Sequence, residues 1–245
     1  MIKLVSLNIE RSKHLDRVVP FLEAQQADVV CLQELMEYDI ETIERVAGKC
    51  FYTGTARYPE ETQTKAGVLG QGIFSRLENI QSAAVFYHGS GLPDRLLDFT
   101  DARSKHESES HALTYLDFKK EALLFRVATT HFTWTADGNP DEFQRADLRA
   151  LLDVLSGLGE FTLCGDFNAP RGGEIFSELA SRYADTIPAQ YTTSIDKELH
   201  RAGDLQLMVD GLFTTAGYRA SHVHLHSGVS DHLAIVATLE STQTK

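Results

Sequence analysis

Residues 161–174 read FTLCGDFNAPRGGE. Phe161–Cys164 is a short apolar run with strand character, and Gly165-Asp166-Phe167-Asn168-Ala169-Pro170 halts it with residue types that favour turns. Past the paired glycines, Glu174–Tyr183 carries helical spacing. The stretch is therefore strand, polar turn, helix, with an acid and an amide placed where the strand stops.

The same pattern recurs outward in both directions. Upstream, Asn139-Pro140-Asp141-Glu142 has the arrangement of a capping box, with Leu148, Leu151, Leu152 and Leu155 forming an apolar helical stripe behind it. Further back, Ala112–Phe118 and Ala122–Thr130, joined by Lys119-Lys120-Glu121, read as a hairpin. Ile80–Tyr87, Gly72–Phe74, Phe51–Ala56, Asp28–Leu32 and Ile2–Asn8 read as strands. Helices are expected around Leu15–Leu22, restricted by Pro20, and over Asp39–Ala47. Downstream, strands are expected near Leu207–Phe213, Tyr218–Leu225 and Leu233–Leu239. Runs of strands with occasional helices suggest an α+β domain rather than strict βαβ repetition. The irregular stretches Arg57–Leu69 and His88–Glu109 are long enough to be functional loops.

Length and charge narrow the function. At 245 residues the chain is expected to form one domain, 1–245. Its 23 Lys and Arg against 35 Asp and Glu leave a net charge of −12, with no basic cluster of the kind that grips long nucleic acid. No run approaches the length of a membrane span. The opening MIKLVSLNIE enters a strand without a signal-like core, so a cytoplasmic compartment is expected, with Cys31, Cys50 and Cys164 reduced.

The informative residues stand at strand ends: Asn8, Gln33-Glu34, Thr130-His131, Asp166 with Asn168, Asp210, and Ser230-Asp231-His232. Polar groups placed there can converge on one rim of a sheet, where a rigid scaffold presents chemistry. In order along the chain, SLNIE, LQE, GQGIFSR, THF, CGDFNAPRGGE, MVDGLF and VSDH resemble the endonuclease/exonuclease/phosphatase (DNase I-like) superfamily, from Leu4 to about Leu239. The resemblance implies a four-layer α/β/β/α sandwich of two packed mixed, mostly antiparallel sheets flanked by helices. It also implies hydrolysis of phosphoesters with a divalent cation, Mg²⁺ or Mn²⁺.

Position by position, the resemblance makes Glu34 the principal metal ligand, with Asn8 beside metal and phosphate and Asp231 a metal-proximal carboxylate. Glu10 falls where some relatives carry a second acid near the metal and others do not. Asp166 matches the residue that orients or deprotonates water, and Asn168 the one that binds a phosphoryl oxygen. His232 matches the imidazole on the scissile phosphate, Asp210 the carboxylate orienting it, and His131 a position held by His or Tyr. These types suit the chemistry: Mg²⁺ prefers oxygen ligands, and an anionic phosphodiester needs cations and donors as charge builds. Nucleic acid ends, lesions or short strands lead as substrate, ahead of a small-molecule or lipid phosphoester. A non-catalytic binder on the same fold is the remote third reading. No protein partner is implied.

Three features weigh against other chemistries. His222, His224 and His226 alternate along one strand, but same-face neighbours lie roughly 7 Å apart, which suits a half-exposed face better than zinc. GxxxxGK[ST] and GxSxG are both absent. Trp134 is either packing or a substrate platform.

Overall fold

The computed structural model describes residues 1–61, 64–136 and 138–242. One sheet contains β1 (Ile2–Asn8), β2 (Val29–Met36), β3 (Lys49–Tyr58), β4 (Gly67–Ser75) and, from the far end of the chain, Tyr218–His226 and Ala234–Ser241. The other holds β5 (Asn79–His88), β6 (His111–Lys120), β7 (Leu123–His131), β8 (Thr162–Asp166), β9 (Ala184–Asp185) and β10 (Asp210–Thr214). With the two late strands labelled β11 and β12, the orders are β11-β12-β1-β2-β4-β3 and β5-β6-β7-β8-β10-β9.

Hydrophobic alternation explains the layering. In β1, Ile2 and Leu4 face the other sheet, meeting Phe118, Phe125, Val127 and Cys164, while Val5 and Leu7 face outward. The outward face of the first sheet packs on Val18 and Leu22 of α1 (Leu15–Gln25) and Ile43 of α2 (Ile40–Ala47). The second sheet is covered by Leu148, Leu151, Leu152 and Leu155 of α4 (Glu142–Ser156) and by Ile175, Phe176 and Leu179 of α5 (Glu174–Arg182). The result is two mixed six-stranded sheets between layers of helix, as the resemblance implied.

Each sheet contains one parallel pair, β1 with β2 and β7 with β8; all other pairings are antiparallel. This detail positions the site. Parallel neighbours end at the same edge, so Asn8 lies opposite Gln33, and His131 opposite Asp166. The antiparallel β10 starts where β8 stops, pairing Asp210 with Asp166.

Several local expectations shift. The cap of α4 is Asp141, whose side chain accepts from Gln144 N at 2.8 Å, rather than Asn139. Gln144 does not close a capping box; its amide reaches the Thr133 carbonyl at 2.7 Å and ties the helix to the loop after β7. Pro20 sits inside α1 on its exposed face and does not end it. The β6–β7 turn is made by Glu121 and Ala122, at φ 52° and 67°, the left-handed pair that a tight hairpin needs. His88–Glu109 contains a short helix, α3 (Ala102–Ser108). Arg57–Leu69 takes in the last residues of β3 and the first of β4 with the connection between them, and its Thr62 and Gln63 lie outside the described residues.

Candidate active site

The strand-end residues do converge. Asp166, buried at the end of β8, accepts from the Asn8 amide at 3.0 Å and from the Asn168 backbone at 2.8 Å. The Asn8 amide also reaches Glu34 Oε1 at 3.3 Å, so one side chain joins two sheets across the rim. Imidazoles flank the Asp166 carboxylate: His131 Nε2 at 3.7 Å and His232 Nε2 at 3.8 Å. Behind His232, Asp210 Oδ2 lies 2.7 Å from Nδ1. Asn168 donates from its side chain to the Phe132 carbonyl at 2.8 Å.

Glu34 reaches this rim because β2 departs from regular pairing. Strict alternation would send Glu34 outward with Leu32. The register with β4 shifts between Leu32 and Leu35, and Glu34 takes φ 51°. This extra residue re-aims the carboxylate toward Asn8, while Leu35 returns to the helix-facing core. The backbone is again left-handed at Glu10 and Asn168, with φ 47° and 48°, so strain gathers at the rim.

Burial and charge set the protonation states. Burial opposes charge on His232, but Asp210 and Asp166 outweigh it and hold the imidazole well above the ordinary histidine range. Burial raises Asp231 to about 7, with Glu34 and Glu10 adding repulsion against the pull of His232. Glu34 is also pushed up by burial, yet Arg11 and His131 overcome this and lower it. A crowd of carboxylates of which one is driven toward neutrality is a place where a divalent cation would relieve repulsion.

Two groups of donor atoms lie within 4.8 Å of one another here: Glu10, His14 and Asp231, and Asp166, Asp210 and His232. The oxygen-rich set of Glu34, Asn8, Glu10 and Asp231 fits a hard cation. His222, His224 and His226 form no such group among the described residues; β11 is bulged there, with His222 at φ 49°.

The sequence reading missed three contributors. Arg11 pairs with both Glu34 and Glu10, and His14 Nε2 lies 3.0 Å from Glu10 Oε2. Gln71, buried between the sheets, accepts from His131 N at 2.8 Å and donates to Thr114 and Ala112 at 2.8 and 2.9 Å. Its flanking glycines in GQGIFSR were the available signal, because they let backbones close around it. Arg11 and His14 had no signal beyond proximity to Glu10.

A two-sheet sandwich with acid, amide and imidazole groups on one rim is the architecture of a phosphoester hydrolase family. The family model for the endonuclease/exonuclease/phosphatase family matches residues 5–232, and the chain belongs to that family. No match to a curated protein was found by sequence. Among solved structures it is similar to an endonuclease/exonuclease/phosphatase from Beutenbergia cavernae DSM 12333, at TM-score 0.77 and 17% identity over 98% of this chain and 71% of that one. A mannosyl-6-phosphatase from Bacteroides thetaiotaomicron VPI-5482 is similar at TM-score 0.69 and 12% identity, over 98% and 100%. TDP2 from D. rerio, complexed with single-strand DNA product, is similar at TM-score 0.70 and 14% identity, over 98% and 99%.

Proposed function

We propose that the protein is a metal-dependent phosphodiesterase that hydrolyses nucleic acid at ends, lesions or in short strands by direct in-line attack of water. The observation that carries this reading is the Asp166 carboxylate held between the Nε2 atoms of His131 and His232, at 3.7 and 3.8 Å. Glu34, Asn8, Asp231 and Glu10 would hold Mg²⁺ or Mn²⁺, which when bound polarises phosphate and offsets charge on the leaving oxygen.

The protein's own groups divide the remaining work. Asp166 aligns water and takes its proton; hydrogen bonds from Asn8 and from the Asn168 backbone stop the carboxylate rotating. His232, kept protonated by Asp210, donates to a phosphoryl oxygen as negative charge accumulates, and His131 acts from the opposite side. The Asn168 amide has one N–H engaged by Phe132, leaving its second for the phosphoryl group.

A small sugar phosphate is the second reading. It is supported by the net charge of −12 and by the likeness in fold to a mannosyl-6-phosphatase.

A substrate panel with Mg²⁺ and Mn²⁺ tests the proposal, spanning single-stranded and nicked DNA, RNA, sugar and inositol phosphates and choline phospholipids. Chelation should abolish turnover and either cation should restore it. Asp166→Asn and His232→Ala should each lower turnover by about 100-fold or more while remaining folded. Full activity in chelator after dialysis, or near-wild-type rates in both variants, would overturn the assignment. Preference for sugar phosphates over every nucleic acid would select the second reading.

A further inference from the structure

Beyond the catalytic rim, three segments distant in sequence bring together two imidazoles and a carboxylate. His88 ends β5, His106 lies in α3, and Asp147 sits on the buried face of α4. Their candidate ligand atoms all lie within 4.8 Å of one another. His106 Nε2 is 2.8 Å from Asp147 Oδ2, and His88 Nδ1 is 3.7 Å from Oδ1.

The hydrogen bonds around the cluster decide what it can hold. His88 Nε2 donates to the His106 carbonyl at 2.8 Å. With hydrogen carried at Nε2 alone, Nδ1 would present a lone pair toward Asp147 Oδ1, 3.7 Å away. Either a proton on Nδ1 or a metal ion between the two would satisfy both groups, and metal content separates the two cases. An imidazole whose far N–H is anchored on a backbone carbonyl is also the usual arrangement of a metal-ligating histidine. Asp147 is itself held in place by Thr133 Oγ1, which donates to Oδ2 at 2.5 Å. Burial raises its pKa, but the bonds from His106 and Thr133 outweigh that and keep it anionic.

We propose that His88, His106 and Asp147 form a transition-metal site of the zinc class, separate from the catalytic rim. Two imidazoles and one carboxylate make a donor set that suits Zn²⁺ far better than Mg²⁺. Tetrahedral Zn²⁺ with bonds of about 2.0–2.1 Å places its ligand atoms roughly 3.3 Å apart. The 3.7 Å separation is close to that value, whereas the 2.8 Å contact is a direct His106–Asp147 hydrogen bond that the ion would replace. The two rings lie stacked, with centroids 3.7 Å apart and planes at 29°, so the ion enters as one ring turns its edge inward.

The ion would fasten α3, and with it the segment between β5 and β6, to α4. His111 connects this region to the catalytic rim: its ring lies 5.8 Å from that of His88, and its Nδ1 donates to the His131 carbonyl at 3.1 Å. The site is thus a stabilising one placed beside the catalytic histidine, and it does not depend on the proposed phosphodiesterase activity.

Zinc content of the full chain, measured after dialysis against millimolar Mg²⁺, tests the proposal. Wild-type protein and Glu34→Gln should each retain one zinc, whereas His88→Gln and His106→Gln should lose it, with affinity down by about tenfold or more. X-ray absorption at the zinc edge should count two imidazoles in the wild type. Circular dichroism confirms that the variants are folded, and hydrolysis measured in Mg²⁺ on the same samples keeps the catalytic question separate. Wild-type protein without zinc, an oxygen-only shell, loss of the ion in Glu34→Gln, or equal affinity in His88→Gln and His106→Gln would each overturn it.

Discussion

His111 shows what a single buried side chain does to stability. It is 3% exposed and lies among groups that cannot hydrate it. Burial drives its pKa down to about 4, with Glu109 opposing. Its unfolded value is about 6.5, so between those pH values the unfolded chain binds the extra proton. The contribution is therefore fully present above about pH 6.5 and is lost as pH falls toward 4, on the order of 3 kcal/mol in all. Urea midpoints from about pH 7.5 to about pH 4.5 should fall accordingly, and His111→Gln should flatten the slope. An unchanged slope in the variant would remove His111 from the account. Glu109, held to about 2 because Lys105 and His111 overcome its burial, acts in a lower window. Its contribution is fully present above about pH 4.5 and is lost progressively as pH falls from there to about 2.

At the scale of elements, the close approach of β7 and β8 is set by Gly165. Its φ is 147°, and a Cβ there would lie 2.0 Å from the Thr130 carbonyl oxygen. One residue further along the same parallel pair, His131 faces Asp166. Gly165→Ala must push the strands apart or twist the backbone, and both disturb the rim. Overpacking and strain together should cost about 3 kcal/mol or more in chemical denaturation. Turnover of the folded fraction should fall as well. A near-wild-type midpoint would show that the strands yield cheaply. The bulge in β2 is the counterpart in the other sheet: one extra residue decides whether Glu34 meets Asn8 or the helices.

Over the whole molecule, the cations closest to the rim and the sheets pair with carboxylates. Arg11 pairs with Glu34, Lys13 with Glu10, Lys105 with Glu109, Lys120 with Asp28, Arg126 with Asp117, Arg145 with Glu174 and Arg171 with Asp185. With a net charge of −12 besides, and no basic cluster in the sequence, the surface is poorly suited to neutralise phosphates away from the rim. Binding of Asp166→Asn to long intact duplex should be weak, with a shallow log–log salt slope of about −2 to −3. Affinity across a salt series on duplex, single-stranded and small substrates measures this. Tight duplex binding with a steep slope would mean that the surface gathers its cations into a track.

Much of the rim was legible in the sequence because its residues sit at places that local pattern marks. Asn8, Glu34 and Asp166 each stand where an apolar run stops and Asp231 just before one begins, and alternation along β1 and β8 already puts Asn8 and Asp166 on the faces of Leu4 and Cys164. Their motifs, spaced along nearly the whole chain, were enough to point to the family. Asp141 rather than Asn139 as the cap, and α3 within the long segment after β5, were not legible, because short polar stretches carry several capping and turn options of similar energy. Only the tertiary structure brought Arg11 onto Glu34, Gln71 under His131, and Asp147 between His88 and His106. Those contacts join residues far apart in sequence through sheet pairing and packing, and no local periodicity encodes which distant side chain will arrive.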